Sequence, residues 1–461
     1  MISQSSKYWY FIGIGGIGMS ALARYYANAG CIVAGYDKTP TTLTKELMQE
    51  GINIHFEDEI RLVSEDLLKN PEQATVVFTP AVPKDHKELN YFIDKGFKVI
   101  KRSVALGNIT KNSNTIGVAG THGKTTTSSL MTHVLKVANL NVSAFLGGIT
   151  QNYNNNFIIG DIVKGNNITV VEADEYDRSF LTLHPTTAIV TSVDADHLDI
   201  YNDSNSMLQS YQDYVNQIRE GGLFIKKLGL PLTTPANCKG FTYSYDATKA
   251  DYYASNIRVE NGAYVFELIG PGINISNVQF GIPGLHNIEN SVAVFAVAHQ
   301  MGVSADSIKE SFKSFKGVKR RFEYYLKKEN IILIDDYAHH PTELKACIGS
   351  ARHLYPNHRI TGVFQPHLFS RTRDFMDDFA DSLSMVDELI LLDIYPAREL
   401  PIEGITSASL LEKIKINSKK LVSKENLATT LAAQKPQLVL MMGAGDIDQL
   451  LIPVKEALDH V

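Results

Sequence analysis

The segment GTHGKTT, residues 120–126, has the residue types that bind the phosphates of a nucleotide. In such a loop the backbone amides surround the phosphates, a lysine reaches the β- and γ-phosphates, and the next hydroxyl binds Mg²⁺. Lys124 and Thr125 stand at those positions, although Val118 replaces the first glycine of the strict pattern. The segment therefore predicts a site for ATP and Mg²⁺. The residues predicted to contact ATP here are Gly120, Thr121, His122, Gly123, Lys124, Thr125 and Thr126.

Acidic and histidine side chains follow two apolar runs downstream of this loop. Glu172 comes directly after residues 168–171, and His197 follows residues 188–193. Since ligands of parallel sheets gather beyond the carboxyl ends of the strands, both side chains are expected near the ATP phosphates. Magnesium bound to ATP needs few protein ligands, so we predict Glu172, His197 and Thr125 for this role. The other acidic residues are interpreted as one solvated side chain and two helix caps: Glu175, Asp194 and Asp196.

A second glycine loop, GIGGIG, occupies residues 13–18 near the amino terminus. It follows a predicted strand and opens a predicted helix, and Asp37 lies 19 residues beyond Gly18. Such glycines let the backbone approach a diphosphate at the helix amino terminus, and the carboxylate accepts a hydrogen bond from a ribose hydroxyl. The loop predicts the diphosphate of some nucleotide without specifying NAD. A tight strand-to-helix turn without a ligand is the alternative.

A third set of polar groups lies in DDYAHHP, residues 335–341, and in QPHLFSRTR, residues 365–373. Paired histidines are often metal ligands, but no third ligand lies at a suitable spacing in the sequence, so we predict no zinc site. Arg371 and Arg373 are interpreted either as a fork for a carboxylate or as part of a solvated helix face.

Each of these loops is preceded by an apolar run and followed by helix-like sequence, which is typical of buried parallel strands joined by helices. We therefore predict an α/β fold with three domains, at residues 1–110, 111–318 and 319–461. Residues 222–282 consist of short alternating segments between Gly, Pro and Asn, and predict a β-rich insertion in the central domain. The predicted strands are residues 8–14, 115–119, 168–171, 188–193, 331–334, 360–364, 389–392 and 438–442.

Composition argues against several classes of protein. The chain has 461 residues, and 44 Lys and Arg against 50 Asp and Glu leave a formal net charge of −6, which disfavours non-specific nucleic-acid binding. Its three cysteines lie far apart, so no disulfide framework is indicated. No apolar run has the length of a membrane span, and the amino terminus lacks a basic leader. We predict a cytoplasmic monomer or homodimer without nucleic-acid or membrane partners.

Short motifs along nearly the whole chain, from residue 11 to residue 447, resemble those of the Mur ligases in order and spacing. They are GIGGIGMS, GTHGKTTT, VEADE, DADHLD, GLHNIENS, KRRFE, DDYAHHPTEL, QPHLFSRTRDF, DIYPARE and MMGAGDI. The resemblance implies a Rossmann-like first domain that binds UDP-N-acetylmuramic acid and a P-loop central domain that binds ATP and Mg²⁺. It implies a Rossmann-like third domain that binds the incoming amino acid.

The resemblance is strongest to the family members that add L-alanine, and it implies a reaction. The lactyl carboxylate of UDP-N-acetylmuramic acid attacks the γ-phosphate of ATP, and the amine of L-alanine then attacks the acyl phosphate during synthesis of a peptidoglycan precursor. The alternative within the family is the recycling ligase that attaches a preformed murein tripeptide. An NAD-dependent dehydrogenase and a non-catalytic nucleotide switch are rivals from other classes. The dehydrogenase leaves GTHGKT, Glu172 and His197 without a role.

The resemblance also assigns roles to individual residues. The implied catalytic residues are Lys124, His197, Arg321 and His340. The implied ATP contacts outside the loop are Asn287, Asn290, Arg321 and Asp336. The implied UDP-sugar contacts are Gly13, Gly15, Gly16, Gly18, Met19, Ser20 and Asp37. The implied amino-acid contacts are Tyr337, His339, His367 and Arg371. The base that takes the amine proton stays open among His197, His339, His340 and a carboxylate.

Three positions depart from the pattern of the family. Gln212 stands where several relatives carry a carbamylated lysine, which alanine-adding members also lack. Tyr176 stands where alanine-adding members often have serine, and a tyrosine there is similar to the tripeptide ligase. Leu368 replaces an arginine of some relatives, which leaves the alanine carboxylate more dependent on Arg371.

Overall fold

The computed structural model describes residues 6–161, 166–194, 201, 203–260, 263–397 and 399–459. These residues divide into two compact units. The first unit contains the described residues up to 255, with 267–278 and 289–315. The second unit contains the described residues of 256–266, 279–288 and 316–461.

The first sheet has five parallel strands: β1 (Tyr8–Ile12), β2 (Ile32–Tyr36), β3 (Asn53–His55), β4 (Ala74–Phe78) and β5 (Lys98–Lys101). Its helices are α1 (Ile17–Asn28), α2 (Thr42–Gln49), α3 (Glu65–Leu68), α4 (Lys87–Asp94) and α5 (Arg102–Lys111). The strand order is β3-β2-β1-β4-β5. Because β1 lies between β2 and β4, its carboxyl end opens into a crevice between the two halves of the sheet. The GIGGIG loop begins at that point.

The second sheet has ten strands: β6 (Asn114–Ala119), β7 (Val142–Thr150), β8 (Asn155–Ile158), β9 (Ile168–Glu172), β10 (Thr187–Val190), β11 (Leu223–Lys227), β12 (Lys239–Ser244), β13 (Tyr252–Glu260), β14 (Ala263–Gly270) and β15 (Ile273–Phe280). Its helices are α6 (Lys124–Val137), α7 (Ser204–Asn216), α8 (Leu285–Gln300) and α9 (Ala305–Ser314). The strand order is β15-β14-β13-β12-β11-β10-β6-β9-β7-β8. Since β6 pairs in parallel with both β9 and β10, the loops after these three strands meet at one edge.

The third sheet has six strands: β16 (Glu323–Lys327), β17 (Ile332–Asp336), β18 (Ile360–Phe364), β19 (Glu388–Leu391), β20 (Lys419–Leu421) and β21 (Leu438–Met442). Its helices are α10 (Pro341–Leu354), α11 (Phe369–Asp374), α12 (Met376–Leu383), α13 (Ser407–Lys413), α14 (Leu427–Gln434) and α15 (Leu451–Asp459). The strand order is β16-β17-β21-β18-β19-β20, and β16 runs antiparallel to β17 while the other pairs are parallel. Short 3-10 segments occur at Ile60–Leu62, Pro71–Gln73, Tyr176–Thr182, Lys424–Asn426 and Asp446–Leu450.

The predicted α/β class with mostly parallel sheets is confirmed, and all eight predicted strands are present. The strand predicted at residues 188–193 ends at Val190, because Ser192 bonds to the phosphate-binding loop: its hydroxyl accepts a hydrogen bond from the His122 amide at 2.9 Å. The β-rich stretch predicted at residues 222–282 forms β11 to β15, which extend the second sheet. The domain boundaries stay predictions, although the three sheets follow one another along the chain.

Arg24 on α1 joins the first two sheets within the first unit. Its guanidinium is buried, donates to Glu50 at 2.8 and 3.0 Å, and also reaches Asn155 at 3.1 Å on β8. The neighbouring Asn156 donates to the Ile17 carbonyl, at the start of α1, at 2.7 Å. These bonds hold the helix that carries the GIGGIG loop against the sheet that carries the GTHGKT loop.

Among the described residues, no helix combines the length and the apolar character needed to cross a bilayer.

Glu88 is a fully buried carboxyl group in the first sheet's core. It accepts hydrogen bonds from the Tyr10 hydroxyl at 2.6 Å and the Glu59 amide at 3.1 Å, and the His55 ring lies 3.4 Å away. Burial raises the pKa of Glu88 to about 7, because the charged form loses its hydration. The folded state therefore binds a proton at Glu88 more tightly than the unfolded chain does.

We expect the free energy of unfolding to decrease as the pH rises from about 4.5, the ordinary pKa of this carboxyl, through about 7. Glu88→Gln should flatten that dependence, since the amide cannot ionise. Denaturant unfolding followed at several pH values between about 5 and about 8 measures it. The control is Glu65→Gln, whose side chain is 82% exposed and pairs with Lys69. Equal slopes in wild type and Glu88→Gln would contradict the assignment.

Candidate active site

The GTHGKT loop connects β6 to α6 and presents a helix amino terminus at the carboxyl edge of the second sheet. Gly123 is the residue before the helix, has φ +83°, and supplies no side-chain cap. A Cβ at Gly123 would lie 2.7 Å from Asn290 Oδ1, so only glycine lets the loop pack this close to α8. The first turn of α6 therefore presents backbone amides at a helix amino terminus without a side-chain cap, as a phosphate site requires.

Lys124 is held by the loop and by one carboxylate. Its Nζ donates to the Gly120 carbonyl at 2.7 Å and contacts both oxygens of Glu175, at 2.8 and 2.7 Å. Glu175 is 1% exposed, so the interpretation of Glu175 as a solvated side chain is wrong. The chain turns after β9 and directs this carboxylate inward at the lysine. Burial raises the pKa of Glu175, and the Lys124 ammonium opposes that rise.

Thr125, in the first turn of α6, lies in contact with Glu172 at the end of β9. The Thr125 hydroxyl donates to Glu172 Oε1 at 3.0 Å, and Glu172 Oε2 accepts from the Gly147 amide at 2.8 Å. Burial raises the pKa of Glu172, while Lys124 and these two hydrogen bonds lower it. Hydroxyl and carboxylate oxygens are the hard ligands that Mg²⁺ prefers, so this pair fits the ion. The third predicted ligand, His197, lies outside the described residues.

Two of the predicted ATP contacts, Asn287 and Asn290, differ in their surroundings. Asn290 lies against Gly123 of the phosphate-binding loop, as described above. The side chain of Asn287 donates to the Pro283 carbonyl at 2.6 Å.

Gln212 on α7 makes two hydrogen bonds with the backbone of Thr233, at 2.8 and 3.0 Å. At the position of the missing lysine, the chain therefore has a structural amide.

In the GIGGIG loop, Asp37 binds the loop itself. Its carboxylate accepts from the Gly15 amide at 2.7 Å and from the Thr39 amide at 3.1 Å. The bond to Gly15 holds the loop in place, and the predicted bond of Asp37 to a ribose hydroxyl stays a prediction. Met19 and Ser20 are buried in α1, and the Ser20 hydroxyl donates to the Ile17 carbonyl.

Arg102 is a basic side chain at this loop that the sequence analysis missed. A Cβ at Gly18 would lie 2.6 Å from Arg102 Nη1, so the guanidinium covers the first turn of α1. On its other side, Nη2 lies 3.6 Å from Asp174 Oδ2. Arg102 directly follows β5, and its position after a parallel strand was the available signal. A narrow cleft beside it is lined by Arg102, Ser103, Glu172, Asp174, Ser179 and Thr182.

In the second unit, Asp336 ends β17 and organises the turns around it. Its two oxygens accept from the Phe322 and Ala338 amides, both at 2.8 Å. Burial raises the pKa of Asp336 to about 6, and the Arg321 guanidinium opposes the rise. Arg321 lies over the ring of Tyr337, 5.5 Å from its centroid. The predicted nucleotide contacts Arg321 and Asp336 therefore share one corner of the third sheet.

The loops after β17, β18 and β19 bring His339, His367 and Tyr395 together in the second unit, and Arg371 on α11 lies close enough for its charge to act on both histidines. The His367 ring stacks on Tyr395 with centroids 5.7 Å apart, and lies 6.2 Å from the His339 ring. Burial and the charge of Arg371 lower the pKa of both histidines, to about 4 for His367. Within the described part of the chain, no acceptor binds the Arg371 guanidinium. This group is therefore available to a carboxylate.

The other two residues of this region have local partners. His340 caps α10, because its Nδ1 accepts from the Thr342 amide at 3.3 Å. Arg373 is exposed and pairs with the adjacent Asp374 at 2.7 Å, which favours the solvated-face interpretation for this arginine. Only Arg371 of the predicted fork lies beside the two histidines.

Family models match three successive parts of the chain: "Mur ligase family, catalytic domain" at residues 9–114, "Mur ligase middle domain" at 118–298, and "Mur ligase, glutamate ligase domain" at 320–445. The chain is 49% identical over 454 residues to the UDP-N-acetylmuramate–L-alanine ligase of Christiangramia forsetii, which covers 98% of each chain. It is 50% identical over 450 residues to that of Parabacteroides distasonis, which covers 97% of this chain and 96% of the relative.

Solved structures agree with these relatives. The crystal structure of UDP-N-acetylmuramate-alanine ligase from Thermotoga maritima matches with a TM-score of 0.81 at 25% identity, over 98% of this chain and 99% of that one. A murein peptide ligase from Psychrobacter arcticus matches with a TM-score of 0.68 at 22% identity, over 99% of both chains, and shows the likeness of fold alone. The resemblance predicted from the motifs is confirmed, and the chain belongs to the Mur ligase family.

Proposed function

We propose that the protein is an ATP-dependent ligase that joins L-alanine to the lactyl carboxylate of UDP-N-acetylmuramate and releases ADP and phosphate. One observation carries the proposal: Lys124, Thr125 and Glu172 lie together at the GTHGKT loop. An ammonium, a hydroxyl and a carboxylate in this arrangement suit a metal-bound triphosphate. The substrates come from the names of relatives that are about half identical over almost the whole chain.

The phosphates of ATP bind the amides of the GTHGKT loop and Lys124 in this proposal. Thr125 would hold the Mg²⁺ at the γ-phosphate, and Glu172 and His197 would hold a second Mg²⁺. Bound Mg²⁺ supplies charge neutralisation at the transferring phosphoryl group. Asn290 and Asn287 are proposed for the adenine side of the nucleotide, and the remaining contacts predicted from the second unit are Arg321 and Asp336.

The diphosphate of the UDP-sugar binds the first turn of α1. Gly13, Gly15, Gly16 and Gly18 allow the backbone to approach it, and Arg102 adds a guanidinium that can bind two phosphate oxygens. Asp37 fixes the loop through the Gly15 amide. Arg102 and Glu172 line the same small cleft, which places the GIGGIG loop near the predicted phosphate site within the first unit.

L-Alanine binds in the second unit in this proposal. Arg371 takes its carboxylate, and the rings of His339, His367 and Tyr337 surround its amine. The pKa of His339 is lowered by burial, so its imidazole is neutral near pH 7 and can accept the amine proton. His340 and His197 stay candidates for the same step, because each is predicted near the reacting groups.

The chemistry has two steps. The lactyl carboxylate attacks the γ-phosphorus, the bond to ADP breaks, and Lys124 and Arg321 stabilise the charge of the phosphoryl group. The neutral amine of L-alanine then attacks the acyl carbon, phosphate leaves with the C–O electron pair, and a base takes the proton.

The tripeptide ligase of recycling is the alternative function, and Tyr176 favours it. A cytoplasmic location and a monomeric or dimeric state stay predictions.

The products formed with competing acceptors test the function. With UDP-N-acetylmuramate, ATP, Mg²⁺ and a mixture of L-alanine, glycine, L-serine and murein tripeptide, mass spectrometry should detect mainly the L-alanine adduct, with one ADP per adduct. A dominant tripeptide adduct would establish the alternative. Phosphate release that ignores the acceptor would indicate a nucleotide switch, and no ATP consumption would refute the proposal.

Lys124→Ala should abolish phosphoryl transfer and leave UDP-N-acetylmuramate binding almost unchanged, because the two ligands use different loops. Acceptor-dependent phosphate release and calorimetric titration of the UDP-sugar measure the two properties. The single change leaves buried Glu175 unpaired, so Lys124→Ala with Glu175→Gln serves as the matched variant. Loss of sugar binding in a folded double variant would argue against separate sites.

Arg102→Ala should raise the KM for UDP-N-acetylmuramate by about tenfold or more, because a charge-assisted bidentate contact to phosphate is lost. The KM for ATP should change by less than about twofold, since the GTHGKT loop binds that substrate. Lys101→Ala is the control: Lys101 is 54% exposed and lies 3.8 Å from Asp177. Equal effects of the two substitutions would exclude Arg102 from the diphosphate site.

A further inference from the structure

Glu175 lies in the phosphate site without a role in the reaction above. Its carboxylate contacts Lys124 Nζ with both oxygens, at 2.8 and 2.7 Å, and the residue is 1% exposed. Its main-chain carbonyl accepts hydrogen bonds from the Tyr201 hydroxyl and, at 3.0 Å, from the Arg178 amide. The backbone is thus fixed, and the carboxylate stays beside the lysine unless its side chain rotates away.

The charges around Lys124 disfavour the binding of a triphosphate without a metal ion. Glu172 is half-buried and Glu175 is buried, both are acidic, and the ammonium of Lys124 interacts with both. A phosphate that binds Lys124 must share this cation with Glu175. Like charges repel strongly in a site shielded from water. The negative carboxylates therefore disfavour binding of a triphosphate until some of its negative charge is neutralised. Mg²⁺ provides that neutralisation when it arrives with the nucleotide.

We propose that Glu175 makes the phosphate site select the metal-bound triphosphate and reject the metal-free one. The selection works through repulsion, which raises the free energy of the wrong complex more than that of the right one. The inference deepens the proposed function and rests on it, because it concerns the same ATP site. Glu175 acts here as a specificity residue that touches Lys124.

A purely structural role predicts a different outcome. If Glu175 only kept Lys124 in position, its removal would weaken both forms of ATP alike. If Glu175 repels the bare triphosphate, its neutralisation strengthens binding of the metal-free form and changes the metal-bound form less. The ratio of the two dissociation constants therefore distinguishes the two roles.

Calorimetric titration of the full-length protein with ATP, once in EDTA and once in excess Mg²⁺, measures that ratio without any turnover. We expect wild type to bind the metal-bound form tighter by about tenfold or more. Glu175→Gln, which keeps the shape and removes the charge, should reduce the ratio by about fivefold or more, mainly through a smaller dissociation constant in EDTA. An unchanged ratio, or equal weakening of both forms, overturns the proposal.

Two further variants serve as controls for this test. Asp177→Asn removes one charge from the same segment at a 42% exposed side chain beside Lys101, and should leave the ratio unchanged. Glu175→Asp keeps the charge and should retain the selection even where Glu175→Gln fails to fold; a ratio that falls with Glu175→Asp overturns the inference. Wild type that binds ATP but forms no L-alanine adduct refutes the proposed function alone.

Discussion

The ammonium of Lys124 needs an anion beside it, and this requirement shapes the edge of the second sheet. Water reaches the lysine poorly, so its charge is balanced by the Glu175 carboxylate and by the Gly120 carbonyl. A buried pair of this kind is costly to break from one side, because the remaining charge would stay unpaired. The segment after β9 turns inward and places Glu175 beside the lysine, while Glu172, the last residue of β9, meets Thr125.

The same unit holds two phosphate-type loops at a fixed separation. Arg24 and Asn156 tie α1 to the hairpin strand β8, and Arg102 lies between the GIGGIG loop and the segment after β9. Each contact joins a residue of the first sheet's layer to one of the second. For a ligase, this matters because the carboxylate of one substrate must meet the phosphate of the other, and holding reactants together lowers the entropic part of the barrier.

The second unit presents a cation, the Arg371 guanidinium, that no acidic side chain binds within the described residues. Both carboxylate oxygens of Asp336 accept hydrogen bonds from backbone amides, and these bonds fix the turns beside Arg321. Arg371 has neutral neighbours instead: the histidines near it have lowered pKa values and carry no charge near pH 7. A guanidinium among neutral rings attracts a carboxylate more strongly than one already paired with an acidic side chain.

The residue pattern determined much of this protein by itself. Runs of apolar residues ending in glycine, carboxylate or histidine specified the parallel strands and the loops with phosphate chemistry, because strand burial and loop geometry are local properties of the chain. The ordered motifs also carried the family. What tertiary structure decided was which polar side chains meet: Glu175 turned out to be buried against Lys124, Asp37 to bind its own loop, and Arg102 to reach α1 from a distant strand end. Exposure and pairing depend on how separate loops pack at one sheet edge, and no spacing along the sequence encodes that distance.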